Sequence, residues 1–303
     1  MGDHGKHYNN GGDTRPAMMS SVSSPGTDPQ REQLRVRAVS KIAVDPAQYQ
    51  QLHDVDETDA DFSGRTLSGL SIAGSRFRRC RFDGLRAGTL SFGGGMTVSE
   101  YVECSFDGLR ATNPIGGFSR FVRCSFRDVD IKGWSTDYLE LVDCRFSGRI
   151  RSTVFFGSRL PAAKGMYESM LRFLEREGRQ QPPGYRELML RPTNEFRGND
   201  FSEAHLLDVA WHGVDLSIQT LPKGPDYLYI PDAVDTLERA QRLLAEQPPG
   251  ADTAWAQHFY RDVLGARIAA GQRQLLLREK DFSRKRDKAA ILLGFAVLRE
   301  ANA

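Results

Sequence analysis

Two histidines and four cysteines are the residues whose types could do chemistry in this chain. His205 and His212 stand near Asp208, and a histidine beside a carboxylate can act as a general acid–base pair. The five-residue period described below directs both imidazoles outward, which favours exposed side chains over a catalytic pair. No nucleophile-elbow, phosphate-loop, zinc-protease or dinucleotide motif occurs in a strand–turn–helix context. We therefore expect no catalytic residue, no cofactor and no metal, and keep His205 and His212 as possible binding residues.

Each cysteine stands two residues before a phenylalanine. The four pairs are Cys80 with Phe82, Cys104 with Phe106, Cys124 with Phe126 and Cys144 with Phe146. In stacked coils, equivalent positions lie about 4.8 Å apart, a separation that is compatible with a disulfide. However, a free cysteine behaves as a small buried apolar residue, and no Cys or Cys/His pair has zinc-ligand spacing. We predict structural thiols, and with no secretory signal pattern we expect the reducing cytoplasm.

Charge is distributed unevenly along a chain of net charge +2. Residues 61–160 carry a net charge of +5 and residues 194–221 a net charge of −4. A cluster formed by Arg76, Arg78, Arg79 and Arg81 is a possible phosphate-binding surface. No aromatic residues alternate with these arginines to stack on bases, so a solvated basic face is favoured and nucleic acid is a less favoured partner.

The elements that position these residues follow a period of five. Phe62, Leu67, Ile72, Phe77 and Phe82 are each five residues apart. Neither the helical period of 3.6 nor the strand period of 2.0 produces this spacing. A chain that turns a corner every five residues does, and four such sides make a coil of 20 residues, which is the interval between the later phenylalanines.

The interval of 24 residues between Phe82 and Phe106 is the exception, and it contains Gly93-Gly94-Gly95. Glycines accommodate a bulge at little steric cost, so we expect the extra residues to bulge there. The predicted core residues are Phe62, Leu67, Ile72, Phe77, Cys80, Phe82, Cys104, Phe106, Cys124, Phe126, Cys144, Phe146, Phe196, Phe201 and Leu206.

This pattern resembles the pentapeptide-repeat family, whose unit is roughly Ala-(Asp/Asn)-(Leu/Phe)-x-x. Close matches are Ala60-Asp61-Phe62-Ser63-Gly64, Asn199-Asp200-Phe201-Ser202-Glu203 and Ala204-His205-Leu206-Leu207-Asp208. The resemblance implies a mainly β fold, a right-handed quadrilateral β-helix with the Phe/Leu column inside. Arg65, Gly116, Thr136 and Arg151 occupy core-type positions, so irregular coils are expected.

Five segments follow from these patterns. They are a disordered tail over residues 1–35, a first β-helix block over 36–159, a helical insertion over 160–193, a closing coil over 194–221, and a linker with a C-terminal helical unit over 222–303. Helices are predicted at Ala162–Glu177, from Pro231-Asp232 onward, at Ala254–Lys280 with Asp252 or Thr253 as its cap, and at Arg284–Ala301. An edge strand is predicted at Arg35–Ile42, a helical turn or two at Asp45–Leu52, a short apolar piece at Tyr185–Leu190 and a linker at Leu221–Pro231.

These features favour a non-enzymatic scaffold that binds a macromolecular partner, most simply a protein, with homodimerisation through the C-terminal helices as a further possibility. The longest apolar run, Ala289–Leu298, is about half of a membrane span, so no membrane partner is expected. Family members that protect type II topoisomerases are acidic rods that imitate DNA, and this alternative requires an acidic stripe along one face. The other alternative is an enzyme with a polar pocket between the coils and the insertion, near Tyr167, Tyr185, His205 and His212.

Overall fold

Parallel strands stacked one coil above the next form the main part of the molecule. The structure is a computed structural model that describes residues 49–282 and 288–303, all within one compact unit, Val44–Ala303. The predicted tail, the predicted strand Arg35–Ile42 and residues 284–287 of the last predicted helix lie outside the described residues. The chain is mainly β, with a solenoid of about five turns and several helices, most of them C-terminal.

Two parallel sheets make up the solenoid. The strands, in chain order, are β1 (Tyr49–His53), β2 (Asp56–Thr58), β3 (Thr66–Ala73), β4 (Arg76–Arg78), β5 (Arg86–Gly94), β6 (Ser99–Val102), β7 (Arg110–Thr112), β8 (Ser119–Val122), β9 (Ser125–Lys132), β10 (Glu140–Val142), β11 (Arg145–Phe156), β12 (Phe196–Arg197) and β13 (Asp200–His212). The odd-numbered strands pair in the order β1-β3-β5-β7-β9-β11-β13, and the even-numbered strands in the order β12-β10-β8-β6-β4-β2.

Each coil has four sides. Tyr101, Ser105, Arg110 and Ile115 stand four or five residues apart, and each pairs with the residue 20 positions later, respectively Phe121, Ser125, Asp130 and Ser135. We call these sides faces A, B, C and D in that order. The predicted four-sided coil of 20 residues is confirmed.

Aromatic rings fill the interior in register. Six rings stack with centroids 4.6–4.9 Å apart and planes within 9° of parallel: Phe62, Phe82, Phe106, Phe126, Phe146 and Phe201. All fifteen predicted core residues are buried except Phe62, which is half-buried. Each buried phenylalanine contributes about 1.5–3 kcal/mol through removal of its ring from water, and one coil cannot bury its own inner face without the next.

Left-handed residues make the corners. One corner is a column formed by Asp59, Arg79, Glu103, Arg123 and Asp143, all with φ between +51° and +57°. This conformation is tolerated by polar residues and is costly for β-branched ones. We call these five residues the corner column.

The extra residues in the 24-residue coil are absorbed between face D and the following strand on face A, because the pairing offset rises from 20 at Ser91 to 21 at Gly94 and to 24 at Glu100. Ser71 pairs with Ser91, but Ala73 pairs with Gly94, so the register shifts as predicted. A Cβ atom on Gly93 would lie 2.4 Å from the backbone carbonyl carbon of Phe118, so this close approach requires glycine. The predicted bulge at the glycine run is confirmed.

The helical insertion leaves the solenoid after β11 and returns at β12. It contains helices α1 (Ala163–Arg176) and α2 (Tyr185–Met189), where the sequence predicted a helix over 162–177 and a short apolar piece. The chain then resumes the stack, because Leu141 pairs with Phe196 and Ile150 pairs with Leu206. The insertion is therefore accommodated without breaking either sheet.

The C-terminal part combines helices with a small antiparallel sheet. Its elements are strand β14 (Tyr227–Ile230), helices α3 (Ala233–Ala245) and α4 (Ala251–His258), a π-helix (Phe259–Leu264), helix α5 (Gly265–Ala269), strand β15 (Leu275–Arg278), and helices α6 (Glu279–Phe282) and α7 (Lys288–Ala301). They enclose a second apolar core that includes Tyr260, Phe295 and Leu298.

Three sequence predictions are wrong. The helix expected over 254–280 ends at Ala269, because β15 pairs with β14 in antiparallel register, and β14 itself occupies the expected linker. Tyr49–His53 is a strand rather than a helical turn, because it pairs with Gly69–Ala73.

Two helices of the C-terminal part begin with different caps. Asp232, where the sequence predicted that a helix begins, caps α3 through its carboxylate, which accepts from the Asp235 N–H at 3.1 Å. Helix α4 instead begins at Ala251, with Gly250 at the cap position, and the Thr253 hydroxyl donates to the Pro248 carbonyl at 2.9 Å.

Candidate interaction surfaces

The cysteines form a buried column of free thiols. All four are free and buried, and each Sγ lies within hydrogen-bond distance of a backbone carbonyl one coil below, for example 3.3 Å from Cys124 to Tyr101. Burial raises the pKa of the Cys124 thiol, and a protonated thiol is a poor nucleophile and a poor metal ligand. The burial of these four free thiols is what a structural role requires.

The arginine cluster is exposed and largely ion-paired. Arg79 lies 2.7 Å from Asp59, Arg78 lies 3.3 Å from Asp56, and Arg81 lies 3.1 Å from Asp83. Arg76 pairs in register with Asp56 below it and Glu100 above it. These carboxylates offset the positive charge that would otherwise attract phosphate.

Opposite charges alternate along two lines that run up the solenoid. On face A the residues in register are Asp56, Arg76, Glu100, Arg120 and Glu140, and we call them the charged column. The corner column also alternates in sign, with Arg123 2.9 Å from Glu103. Because strands lie about 4.8 Å apart, alternation places each charge beside its opposite, and neither line forms an acidic stripe.

The upper end of the charged column is tied to the returning insertion. Arg120 contacts Glu140 at 2.9 Å and Glu195 at 2.6 Å, and Arg191 contacts Glu140 at 3.2 Å. Hydrogen bonds from Arg120 and Arg197 lower the pKa of Glu195. This network joins a residue from the stack to residues that follow α2, so it fixes where the chain re-enters the solenoid.

The structure does not bring the two histidines to the two tyrosines. His205 is exposed on β13, whereas His212 is half-buried and its ring stacks on Phe156 with centroids 5.3 Å apart. Burial, followed by the charge of Arg267, lowers the pKa of His212. Tyr167 and Tyr185 lie together in an aromatic cluster with Phe118 and Tyr138, and neither histidine belongs to it.

A cleft of about 510 Å³ lies beside this aromatic cluster. Its lining residues are Arg159, Leu160, Pro161, Lys164, Tyr167, Glu168, Arg186 and Leu190. Of the four residues that the sequence suggested for a pocket, only Tyr167 lines it. The basic residues of this cleft were missed, because their proximity depends on how the insertion folds back on itself.

Face D carries no charge along its outward line. The residues in register are Gln51, Ser71, Ser91, Ile115, Ser135, Val154 and Ala210, and we call them the uncharged column. Ile115 lies at its centre with 52% of its surface exposed. This surface could have been predicted from the sequence, because its positions alternate with the inward residues of the five-residue period. The sequence analysis did not predict it.

The last coil is closed by side chains of the C-terminal part. Gln272 is fully buried, and its amide both accepts from the Val214 N–H at 3.2 Å and donates to the Val214 carbonyl at 2.9 Å. Gln274 accepts from the Leu216 N–H at 3.0 Å, and the Tyr227 hydroxyl accepts from the Leu206 N–H at 3.0 Å. These contacts replace the pairing that a further coil would supply.

Among the described residues, no group of three or more histidine, cysteine, aspartate or glutamate side chains is arranged to hold a metal ion. In the same part of the chain, no helix combines the length and the apolar character that crossing a bilayer requires. No protein-family model matches the chain, and no curated protein matches it at a significant level.

Proposed function

We propose that the protein is a non-enzymatic scaffold, similar in design to pentapeptide-repeat proteins, that binds a protein partner through the uncharged column on face D. The observation that carries this proposal is the contrast between two sides of the same solenoid. The charged column has an ionised residue at every level, whereas the uncharged column has none. Protein interfaces are depleted in charged residues at their centre, so face D is the better docking surface.

The interior gives face D a rigid support. Behind the uncharged column lie the buried rings of Phe92, Trp134 and Phe155, and the Trp134 ring contacts the other two in the core. A surface that is already ordered loses little conformational freedom when a partner binds. The binding free energy therefore does not have to offset a loss of conformational entropy in face D.

The dimensions of the column limit the shape of the partner. Seven strands spaced by about 4.8 Å make a line about 29 Å long. A helix of about 20 residues has the same length. We propose that the partner presents an elongated, largely uncharged element with an apolar residue opposite Ile115.

A binding experiment with matched variants tests the proposal. The tagged full-length protein is incubated with native extract of the cells that produce it, together with Ile115→Arg and Thr58→Arg variants. Both substitutions add a charge at an exposed position that pairs in register with the next coil, the first on face D and the second on face A. We expect a stoichiometric partner that the wild type and Thr58→Arg retain and Ile115→Arg loses, with circular dichroism unchanged in both variants.

Two results would overturn this assignment. One is equal binding by all three proteins, because the partner would then not contact face D. The other is recovery of no stoichiometric partner by the wild type. If Thr58→Arg alone lost the partner, the docking surface would lie on face A.

Topoisomerase protection is the second candidate function, and the charge pattern disfavours it. DNA mimicry requires like charges along a face, whereas the charged and corner columns alternate. We expect the purified protein to leave gyrase supercoiling unaffected at micromolar concentration. Inhibition that survives Ile115→Arg would favour this alternative over the scaffold.

Homodimerisation and cytoplasmic location stay predictions. The apolar side chain that α7 offers to a second copy is Leu292, which is 46% exposed. Light scattering of the wild type and of Leu292→Glu tests the dimer, because a dimer through α7 should dissociate in the variant. Microscopy of the tagged protein tests the location.

A further inference from the structure

We infer that the cleft between β11, α1 and α2 binds the phosphate group of a small phosphorylated molecule. This inference is independent of the proposed scaffold function, because none of the cleft residues belongs to the uncharged column. Its volume, about 510 Å³, lies within the range of ordinary small-molecule sites.

The charge of the cleft selects an anion. Three of its eight lining residues are basic, namely Arg159, Lys164 and Arg186, and one is acidic, Glu168. In the part of the chain that the structure describes, these charges form one ion pair, a long one of 4.0 Å from Lys164 to Glu168, whose side chains are 83% and 49% exposed. Exposed pairs of this kind contribute about 0–1 kcal/mol, so Lys164 is free to bind a stronger anion.

Arg159 is held at the cleft rather than left mobile. One of its guanidinium nitrogens donates to the Leu190 carbonyl at 3.2 Å, which connects the segment that follows β11 to the residue that follows α2. A guanidinium has five N–H donors in a planar fork, so the remaining donors are available to phosphate oxygens. This geometry suits bidentate recognition of a phosphate.

The start of α1 adds backbone donors to the basic side chains. Its first turn has no acidic residue, and its cap residue Ala162 provides no side-chain hydrogen bond. Within the described residues, the N–H groups of Lys164 and Gly165 have no acceptor, and a Cβ atom added at Gly165 would meet no other part of the protein within 4 Å. Free N–H groups at the start of a 14-residue helix attract negative charge.

The other walls of the cleft are apolar, which argues for an organic phosphate rather than the free ion. Leu160, Pro161 and Leu190 contribute aliphatic surface, and the ring of Tyr167 is held by a hydrogen bond from its hydroxyl to Gln181 at 2.9 Å. An aromatic or aliphatic group attached to the phosphate would be removed from water against these side chains.

Calorimetric titration of the full-length protein with phenyl phosphate, inorganic phosphate and phenylacetate tests the inference. We expect phenyl phosphate to bind tightest, because it uses both the basic and the apolar walls. The double substitution Lys164→Gln with Arg186→Gln should weaken binding by about tenfold or more, since it removes two charge-assisted hydrogen bonds. The matched control, Arg172→Gln with Arg179→Gln, changes the same net charge on exposed insertion residues outside the cleft and should retain affinity.

Amide chemical shifts locate the site. Phenyl phosphate should shift the ¹⁵N–¹H resonances of Lys164 and Gly165 in the wild type. The inference is overturned if phenyl phosphate does not bind at millimolar concentration, if the control variant loses as much affinity as the cleft variant, or if these two amides do not shift. Equal affinity for phenylacetate would also overturn it, because the site would then recognise any anion.

Discussion

The guanidinium of Arg65 lies 4.9 Å from the centre of the Phe62 ring, at the end of the aromatic stack where the described residues contain no further ring. Arg65 also donates to the Gln50 side chain at 3.1 Å, and burial lowers its pKa. It occupies a core-type position of the five-residue ladder, where the other coils place apolar residues. The charged group therefore covers the ring face that the next phenylalanine would otherwise cover.

Replacing Arg65 should destabilise this end of the solenoid. A cation–π contact at a partly exposed site contributes about 0.5–1 kcal/mol, so we expect Arg65→Ala to lower the free energy of unfolding by about 1 kcal/mol in urea denaturation. Arg65→Met, which keeps an apolar stem over the ring, should lose less. Equal losses in the two variants would indicate that charge rather than packing carries the contact.

Loss of a ring should cost most in the middle of the stack. Phe106 is fully buried between two parallel rings, whereas Phe62 is half-buried. Phe106→Ala should therefore lower the free energy of unfolding by about 3–5 kcal/mol, and Phe62→Ala by clearly less. Comparable losses at the two positions would contradict a stack whose interior and end differ in burial.

The four thiols should be unreactive until the protein unfolds. All four are buried and free, so a reagent cannot reach them until the chain opens, and burial also raises the pKa of Cys124, which keeps that thiol protonated at neutral pH. A colorimetric disulfide reagent should detect none of them in the native protein and all four in guanidinium chloride. Rapid labelling of the native protein would show that the column is accessible.

Stability should fall as the pH drops below about 6.5 because of His212. Burial and Arg267 lower its folded pKa from 6.5, so the unfolded chain binds the proton more readily. The stability that neutral His212 contributes is present above the unfolded pKa and is lost as the pH falls toward the folded pKa. The melting temperature of wild type should decrease between pH 7.5 and 5.5, and that of His212→Gln should decrease less. The exposed His205, substituted in the same way, serves as the control.

Removing the Gln272 amide should open the last coil. In Gln272→Ala the buried N–H and carbonyl of Val214 lose their partners, which costs about 1–3 kcal/mol for each unsatisfied group. An unpaired strand edge also invites pairing with another chain, so light scattering should show more self-association than in wild type. Gln257→Ala, at an exposed helix position, should leave both quantities unchanged.

The parts of the fold that repeat could be predicted from the sequence, because the same residue types recur at equivalent positions in successive coils. Phe82, Phe106 and Phe126 hold equivalent positions, and so do the cysteines two residues before them. Even the extra residues of one coil were located, because Gly93 marks the position where the backbone must come close to its neighbour. The insertion was found for the same reason, since the five-residue ladder stops at Leu160 and resumes at Phe196.

Elements that depend on one distant partner could not be predicted in this way. Leu275, Leu276 and Leu277 fit the apolar stripe of a helix, yet they form a strand because Tyr227–Ile230 pairs with them. The composition of residues 61–160 indicated a basic face, whereas the register of the coils places Asp59 beside Arg79 and Glu103 beside Arg123. A count of charges contains no information about which charges become neighbours.

The sequence by itself therefore determined the solenoid, its period and its interior, because a side chain that recurs every five residues must point inward at every level to be buried. Only the tertiary structure decided how the last coil ends and which residues surround the cleft. Those arrangements join Gln272 to Val214 and Arg159 to Leu190. Each of these pairs occurs once and joins different parts of the chain, so no repeating sequence pattern predicts it.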